Sequence, residues 1–398
     1  MKKTKSQITL MMIVGLVLFI VIGLVFYLSK SVVKKQSQQA IKKTQETALE
    51  VQPIREFVAG CFDKVSKDAV VLIGLQGGYI YKSQNGPFAD YRETDQGKFA
   101  VKFDGRIVSY NIMPPKFSVK IFSSKSPSYP WDSFPYKTES SEDKDFTGFF
   151  GINAMPPLNT SQGPNSIQVQ IEEFINKNML KCVNQNLFKD QGIEITTADP
   201  KTSVAIGKNG VGVDMNFPVI ISNPKTKETT EIHDFSTQVD VRLKDIYYFV
   251  NDLVKKDIKD IKFNMREKTN EKDSFSIEVV EDVFAKDDVI IITDGISNVN
   301  GKPFKYIFGR RNRSPALYFL KQNHLEFADG YIITQDDLLK GASLEAEDPD
   351  EDSLSFNIKA LANEQNLPKV LTVPELKFMV EVSDGQLMDY QIITATKI

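Results

Sequence analysis

The segment Glu345-Ala346-Glu347-Asp348-Pro349-Asp350-Glu351-Asp352 places six carboxylates in eight residues. Like charges at that density repel unless a cation neutralises them or water screens them. Calcium takes about six to eight oxygen ligands, often clustered carboxylates with backbone carbonyls. Asp348, Asp350 and Asp352 stand at alternate positions and can converge on one ion. Asp348-Pro349 suits the first two positions of a type I turn. A solvated acidic turn accounts for the same residues, so cation site and solvated turn both stay open.

The second chemical pair is Cys61 and Cys182, the only cysteines. Each falls on the apolar stripe of a helical pattern, in "IREFVAGCF" and in "IEEFINKNMLKCV". An even count favours a disulfide in an outward-facing protein; two separate buried thiols are the alternative. Without a neighbouring His cluster the pair makes a poor zinc site. The two histidines, His233 and His324, stand far apart, and no His-Glu-x-x-His, Gly-x-Ser-x-Gly or Walker-type pattern occurs. No catalytic residue is expected. Gly77-Gly78 lacks the Lys-Ser/Thr of a phosphate loop and reads as a helix stop. Arg310, Arg311 and Arg313 read as a solvated basic linker, with an acidic partner or a lipid headgroup as the alternative.

The elements that must position these groups follow from the rest of the chain. Its 398 residues suggest two or three domains, and 41% hydrophobic residues suffice for a real core. The net charge is −3 without a basic stripe, which argues against a nucleic-acid partner. Ile8 to Leu28 is apolar and uncharged, long enough at ~1.5 Å per residue to cross ~30 Å of hydrocarbon. Lys2, Lys3 and Lys5 precede it, and no small-x-small cleavage site follows. It reads as a retained single-pass anchor in the cell membrane, with the large body outside. Lys5-Ser6-Gln7 resembles the processing site of archaeal type IV pilin-like precursors, although Met11 replaces their usual Glu.

Residues 1–7 are therefore expected as a cytoplasmic tail or leader, 8–28 as a transmembrane helix and 29–50 as a helical stalk. Residues 51–310 are expected as an α+β ectodomain and 311–398 as a separate β-domain. A helix opens at Pro53, and a second runs from Ile167 to Val183, each with a 3.6-residue apolar stripe. Another is expected from Leu243 to Lys262. Alternating runs predict strands through 99–103, 106–110, 117–122, 192–197, 203–207, 211–221, 235–241, 275–280, 289–293 and 304–308. Asp104-Gly105 and Asn300-Gly301 read as hairpin turns. The Pro-rich aromatic stretch 123–164 reads as a long functional loop.

Two resemblances bear on these expectations. The order of "SQITLMMIVGLVLF", "VQPIREFVAGCF", "LIGLQGGYIY", "IEEFINKNMLKCV", "VDVRLKDIYYFV" and "VNGKPFKYIF" over residues 2–309 resembles single-span envelope proteins of DPANN archaea, for which no activity is implied. Residues 312–398 resemble the cadherin-like, dystroglycan-type immunoglobulin-like domain. The matching motifs are Asn312-Arg313-Ser314-Pro315-Ala316-Leu317, Ala346 to Phe356, Val382-Ser383-Asp384-Gly385 and Asp389-Tyr390-Gln391. This resemblance implies an antiparallel β-sandwich used in adhesion or as a spacer, in some members with calcium. It singles out Asp348 and Asp350, with Asn312 from the domain boundary. Glu351 departs from the family, which usually has Gly there. The expected function is a membrane-anchored surface protein in adhesion, envelope structure or binding of a protein or surface glycan. A pilin-like subunit and an envelope enzyme are the alternatives.

Overall fold

The computed structural model describes residues 51–92, 95–114, 150–183, 188–189, 192–224, 227–268, 274–317, 324–342, 344–361, 367 and 369–398. The expected tail, span and stalk (1–50), the expected strand at 117–122 and most of the aromatic loop lie outside them. Among the described residues no helix is long and apolar enough to cross a membrane. The longest, α1 (Gln52–Leu75), carries Asp63, Lys64, Lys67 and Asp68 on its outer face. This conflicts with the expected single-pass membrane placement, and the membrane reading goes no further.

Helix α1 buries Ile54, Val58, Cys61 with Phe62, Val65, Ala69 and Ile73, one stripe that recurs every three or four residues. It ends before Gly77, whose φ of 70° suits a residue without Cβ. Strands β1 (Ala100–Phe103) and β2 (Arg106–Met113) form the expected hairpin, with positive φ at both Asp104 and Gly105. After β3 (Ile152–Asn153) comes α2 (Ile167–Cys182), capped by Ser166, whose hydroxyl accepts from the Val169 amide at 3.3 Å. Cys61 and Cys182 form a disulfide joining α1 and α2, with Cα atoms 6.0 Å apart.

A four-stranded antiparallel sheet follows: β4 (Glu194–Thr197), β5 (Lys201–Ile206), β6 (Val211–Asn223) and β7 (Glu228–Val239). On β6 the residues Val211, Val213, Met215, Phe217, Val219 and Ile221 alternate inward. Helix α3 (Leu243–Asp257) leads to β8 (Phe275–Phe284), β9 (Asp287–Val299) and β10 (Lys302–Arg310). These join β1–β3 in a sheet of order β1-β2-β10-β9-β8, with β2 and β10 parallel. Helix α1 packs on α2, β7 and β10, and one apolar core runs through both sheets and the helices. At Gly74 a Cβ would come within 2.4 Å of the Lys305 carbonyl, so helix and strand touch there at backbone level.

The C-terminal unit comprises β11 (Ala316–Leu317), β12 (His324–Phe327), β13 (Ile332–Ile333), α4 (Gln335–Ala342), β14 (Ala346–Glu347), β15 (Ser355–Ala360), β16 (Lys369–Val370), β17 (Glu375–Ser383) and β18 (Met388–Lys397). Its main sheet has the order β12-β18-β17-β15, and β11-β14 and β13-β16 form two short ribbons. A second core centres on Leu317, Ile358, Phe378, Val380 and Ile393. It is completed from the body by Phe150 and Ile261.

Two expectations need correction. The fold is β-rich rather than α+β, with four α-helices and eighteen strands among the described residues. Strand pairing reaches further than hydrophobic alternation suggested: β7 takes in the polar run Glu228-Thr229-Thr230-Glu231 by pairing with β6. Helix α3 correspondingly ends at Asp257, short of Lys262. The C-terminal sheet is also not purely antiparallel. Strand β12 is laid beside the distant β18 rather than its neighbour in sequence, and that crossover makes the pair parallel.

A candidate metal centre at the junction of two bodies

The last strand of the body, β10, runs straight into the C-terminal unit, and Arg310 and Arg313 sit at that transition. They are not a solvated linker: both side chains are buried, at 3% and 1% exposure. Arg313 donates to Asp350 from its backbone amide (2.7 Å), Nε (3.0 Å) and Nη2 (2.7 Å), and Nη2 also reaches the Pro349 carbonyl at 2.7 Å. Its Nη1 lies 2.8 Å from Asp257 Oδ2. Arg310 Nη2 donates to Asp288 at 2.6 Å, and its Nε lies 3.2 Å from Asp350 Oδ1. Burial alone would weaken the charge on Arg310, but Asp350, Asp257 and Asp288 outweigh it and raise its pKa.

The acidic stretch therefore docks on a basic face of the body instead of facing water. Lys262 pairs with Glu347 at 3.2 Å, Arg266 with Glu351 at 3.3 Å and Lys286 with Asp352 at 3.3 Å. Glu351 adopts a φ of 67°, the left-handed conformation that Gly would take without strain. Its ion pair with Arg266 gives Glu351 a structural role in this turn.

Neutralisation is incomplete. Oxygens of Asp348, Asp352 and Asp384 lie within 4.8 Å of one another, a group that could hold a metal ion. Three buried oxygens at this place accept no hydrogen bond: Asn312 Oδ1, Asp348 Oδ2 and Asp352 Oδ2. Asn312 Nδ2 donates to Asp384 Oδ2 at 2.9 Å, tying the amide to the cluster. The other Asp348 oxygen accepts the Asp350 amide at 2.7 Å and the Asp352 amide at 3.2 Å, which fixes the turn. Asp384 Oδ1 accepts the Gln386 and Leu387 amides, both at 2.6 Å. An all-oxygen donor set of this kind suits a hard cation and not zinc or copper.

Of the four residues named from sequence, Asp348, Asp352 and Asn312 come together. Asp350 turns away, its oxygens taken by Arg313 and Arg310. Sequence reasoning passed over Asp384 as a ligand, although its Val-Ser-Asp-Gly motif was visible. The Asp-x-Gln motif has a separate task. Asp389 Oδ2 accepts the Leu317 amide at 2.8 Å, and Gln391 Nε2 donates to the Leu317 carbonyl at 3.0 Å, clamping β11 against β18.

Burial, and next the Asp350 charge, push Asp348 up to about 7; burial, opposed by Lys286, leaves Asp352 at about 6. With both acids raised, the cation-free fold favours their protonated forms. Their contribution is present at low pH and is lost as pH rises through those values. A dication reverses the preference, because it binds the ionised forms and releases protons. Apparent affinity for a divalent cation is thus expected to fall about a hundredfold between about pH 7.5 and about pH 5.5. Calorimetric titration in two buffers of different ionisation heat checks this. An affinity flat across the range would remove Asp348 and Asp352 from the ligand set.

No protein-family model, no curated protein and no solved structure matches this chain.

Proposed function

We propose that this chain is a structural or binding protein in which calcium, held by Asp348, Asp352, Asp384 and Asn312 Oδ1, stiffens the joint between the β-rich body and the C-terminal unit. The carrying observation is a cluster of three carboxylates, two of them with a buried oxygen that accepts no hydrogen bond, beside the equally unpartnered Asn312 Oδ1. Calcium is favoured over magnesium because it accepts irregular, carboxylate-rich, largely dehydrated sites, whereas magnesium holds on to its water. The cadherin-like resemblance of residues 312–398 supports the same ion and an adhesion or spacer role, with a protein or surface glycan as partner.

The test is calcium titration of the full chain, followed by heat and by thermal unfolding. Saturable binding with a Kd of about 10⁻⁴–10⁻³ M is expected, as for extracellular calcium modules. Stabilisation should approach about 2.7 kcal/mol at a hundredfold excess over Kd. Asp348→Asn together with Asp384→Asn should abolish both effects while leaving the fold intact in the absence of calcium. A full chain that shows no heat and no shift at about 10 mM calcium would reduce the acidic group to an ion-paired docking turn.

A further inference from the structure

A cavity of about 340 Å³ opens beside β2, away from the metal centre, and is lined by Tyr79, Tyr81, Phe88, Phe99, Tyr110 and Met113. Its rings are held in place rather than loosely gathered. Tyr79 and Phe88 meet edge to face, with centroids 4.7 Å apart and planes at 86°. The segment carrying Tyr79 and Tyr81 is pinned by the buried Gln170, whose Oε1 accepts the Ile80 amide at 2.8 Å and whose Nε2 donates to the Gly78 carbonyl at 2.9 Å.

The polar atoms of the wall are already committed. Tyr79 donates to the Ala154 carbonyl at 2.6 Å, Tyr81 shares a 2.6 Å bond with Ser109, and the Tyr110 hydroxyl donates to Asp287. Among the described residues that line the cavity there is no Asp, Glu, Lys, Arg or His. A charged ligand would lose its water here without compensation. What remains is a wall of ring edges and faces, the surface that aromatic groups pack against in offset and perpendicular contacts. Size sets an upper limit: an apolar cavity of about 150 Å³ suffices for benzene, so this one takes up to two fused rings. Phe99, one of the lining rings, is 39% exposed, so the cavity is open to solvent beside it.

We infer that this cavity binds an uncharged aromatic group of one or two rings. The group arrives either as a small molecule or as an aromatic side chain presented by a partner protein. Nothing in this inference depends on the metal centre.

The experiment titrates indole and, separately, N-acetyltryptophanamide into the full chain, observed by saturation-transfer NMR and calorimetry. Indole is expected to bind saturably with a Kd of about 10⁻⁴–10⁻³ M, the range open to a ligand of that size. Ala89, exposed at the rim, can be enlarged without burying anything new. Ala89→Trp should weaken indole at least about tenfold by plugging the entrance, with circular dichroism unchanged. Phe99→Ala should weaken it as well, through a loss rather than a gain of bulk. Binding of both probes assigns the site to a peptide-borne side chain; binding of indole alone assigns it to a small molecule. The inference is overturned by absence of indole binding, by indifference to both variants, or by tetramethylammonium or cyclohexanol binding as tightly as indole.

Discussion

Arg313→Met is expected to cost the fold about 3–5 kcal/mol, because it strips the buried Asp350 and Asp257 of a counter-charge they cannot replace with water. Arg310 alone would then face three carboxylates: Asp257, Asp288 and Asp350. The compensated pair Arg313→Met with Asp257→Leu restores the balance and fills the space with apolar volume. It should recover at least half of the loss, since buried ion pairs are worth little net once both partners go. Urea unfolding of the four corners of this cycle gives the answer. Equal losses in the single and double variants would mean that Arg313 acts through its packing and its bond to the Pro349 carbonyl, not through charge.

The other large effect lies in the body. Cys61 and Cys182 close a loop with a sequence separation of 121, and the chain-entropy account assigns such a cross-link about 5 kcal/mol. Cys61→Ala with Cys182→Ala should therefore lower unfolding free energy by nearly that amount, less whatever the reduced unfolded chain regains in residual structure. The urea m-value should rise at the same time, because an unlinked unfolded chain exposes more surface. A loss below about 1 kcal/mol with an unchanged m-value would show that α1 and α2 stay associated after unfolding.

Legibility of the fold followed the reach of each physical signal. Helices α1 and α2 were readable because their apolar stripes span many turns. The hairpins at Asp104-Gly105 and Asn300-Gly301 were readable because only a few residue types tolerate positive φ at two successive positions. The even cysteine count and the two similar apolar faces made a Cys61–Cys182 contact readable, while the choice between a bond and two separate thiols came only with the fold. By contrast, the polar half of β7 carries no alternation, and its strand character comes from β6 alone. The parallel placement of β12 depends on β18, some seventy residues later, and no local pattern encodes it.

At the site, the acidic turn was visible but its surroundings were not. Arg310 and Arg313 have the composition of a solvated linker, and only the fold brings Asp257, Asp288 and Asp350 around them. Asp384 escaped notice for the same reason: it reaches the cluster through the β17–β18 turn, far along the chain from Asp348. Asp350 was overvalued because position in the turn says nothing about which side chain faces inward. Its spacing matches that of Asp348 and Asp352, yet it serves arginines.

The way the two bodies meet also limits how this chain can be divided. The boundary near residue 311 looks like a place to cut, since β10 ends there and a new sheet begins. Yet the residues at the cut are themselves structural: Arg310 belongs to the body and holds Asp350, while Asn312 and Arg313 belong to the far unit and meet Asp287 and Asp257 of the body. Phe150 and Ile261 also fill part of the C-terminal core. Excision would leave the acidic turn without its basic partners and that core without two of its side chains. The C-terminal unit is thus not an interchangeable bead on a string. It is one half of an indivisible pair, and grafting it elsewhere would require carrying the matching surface of the body with it.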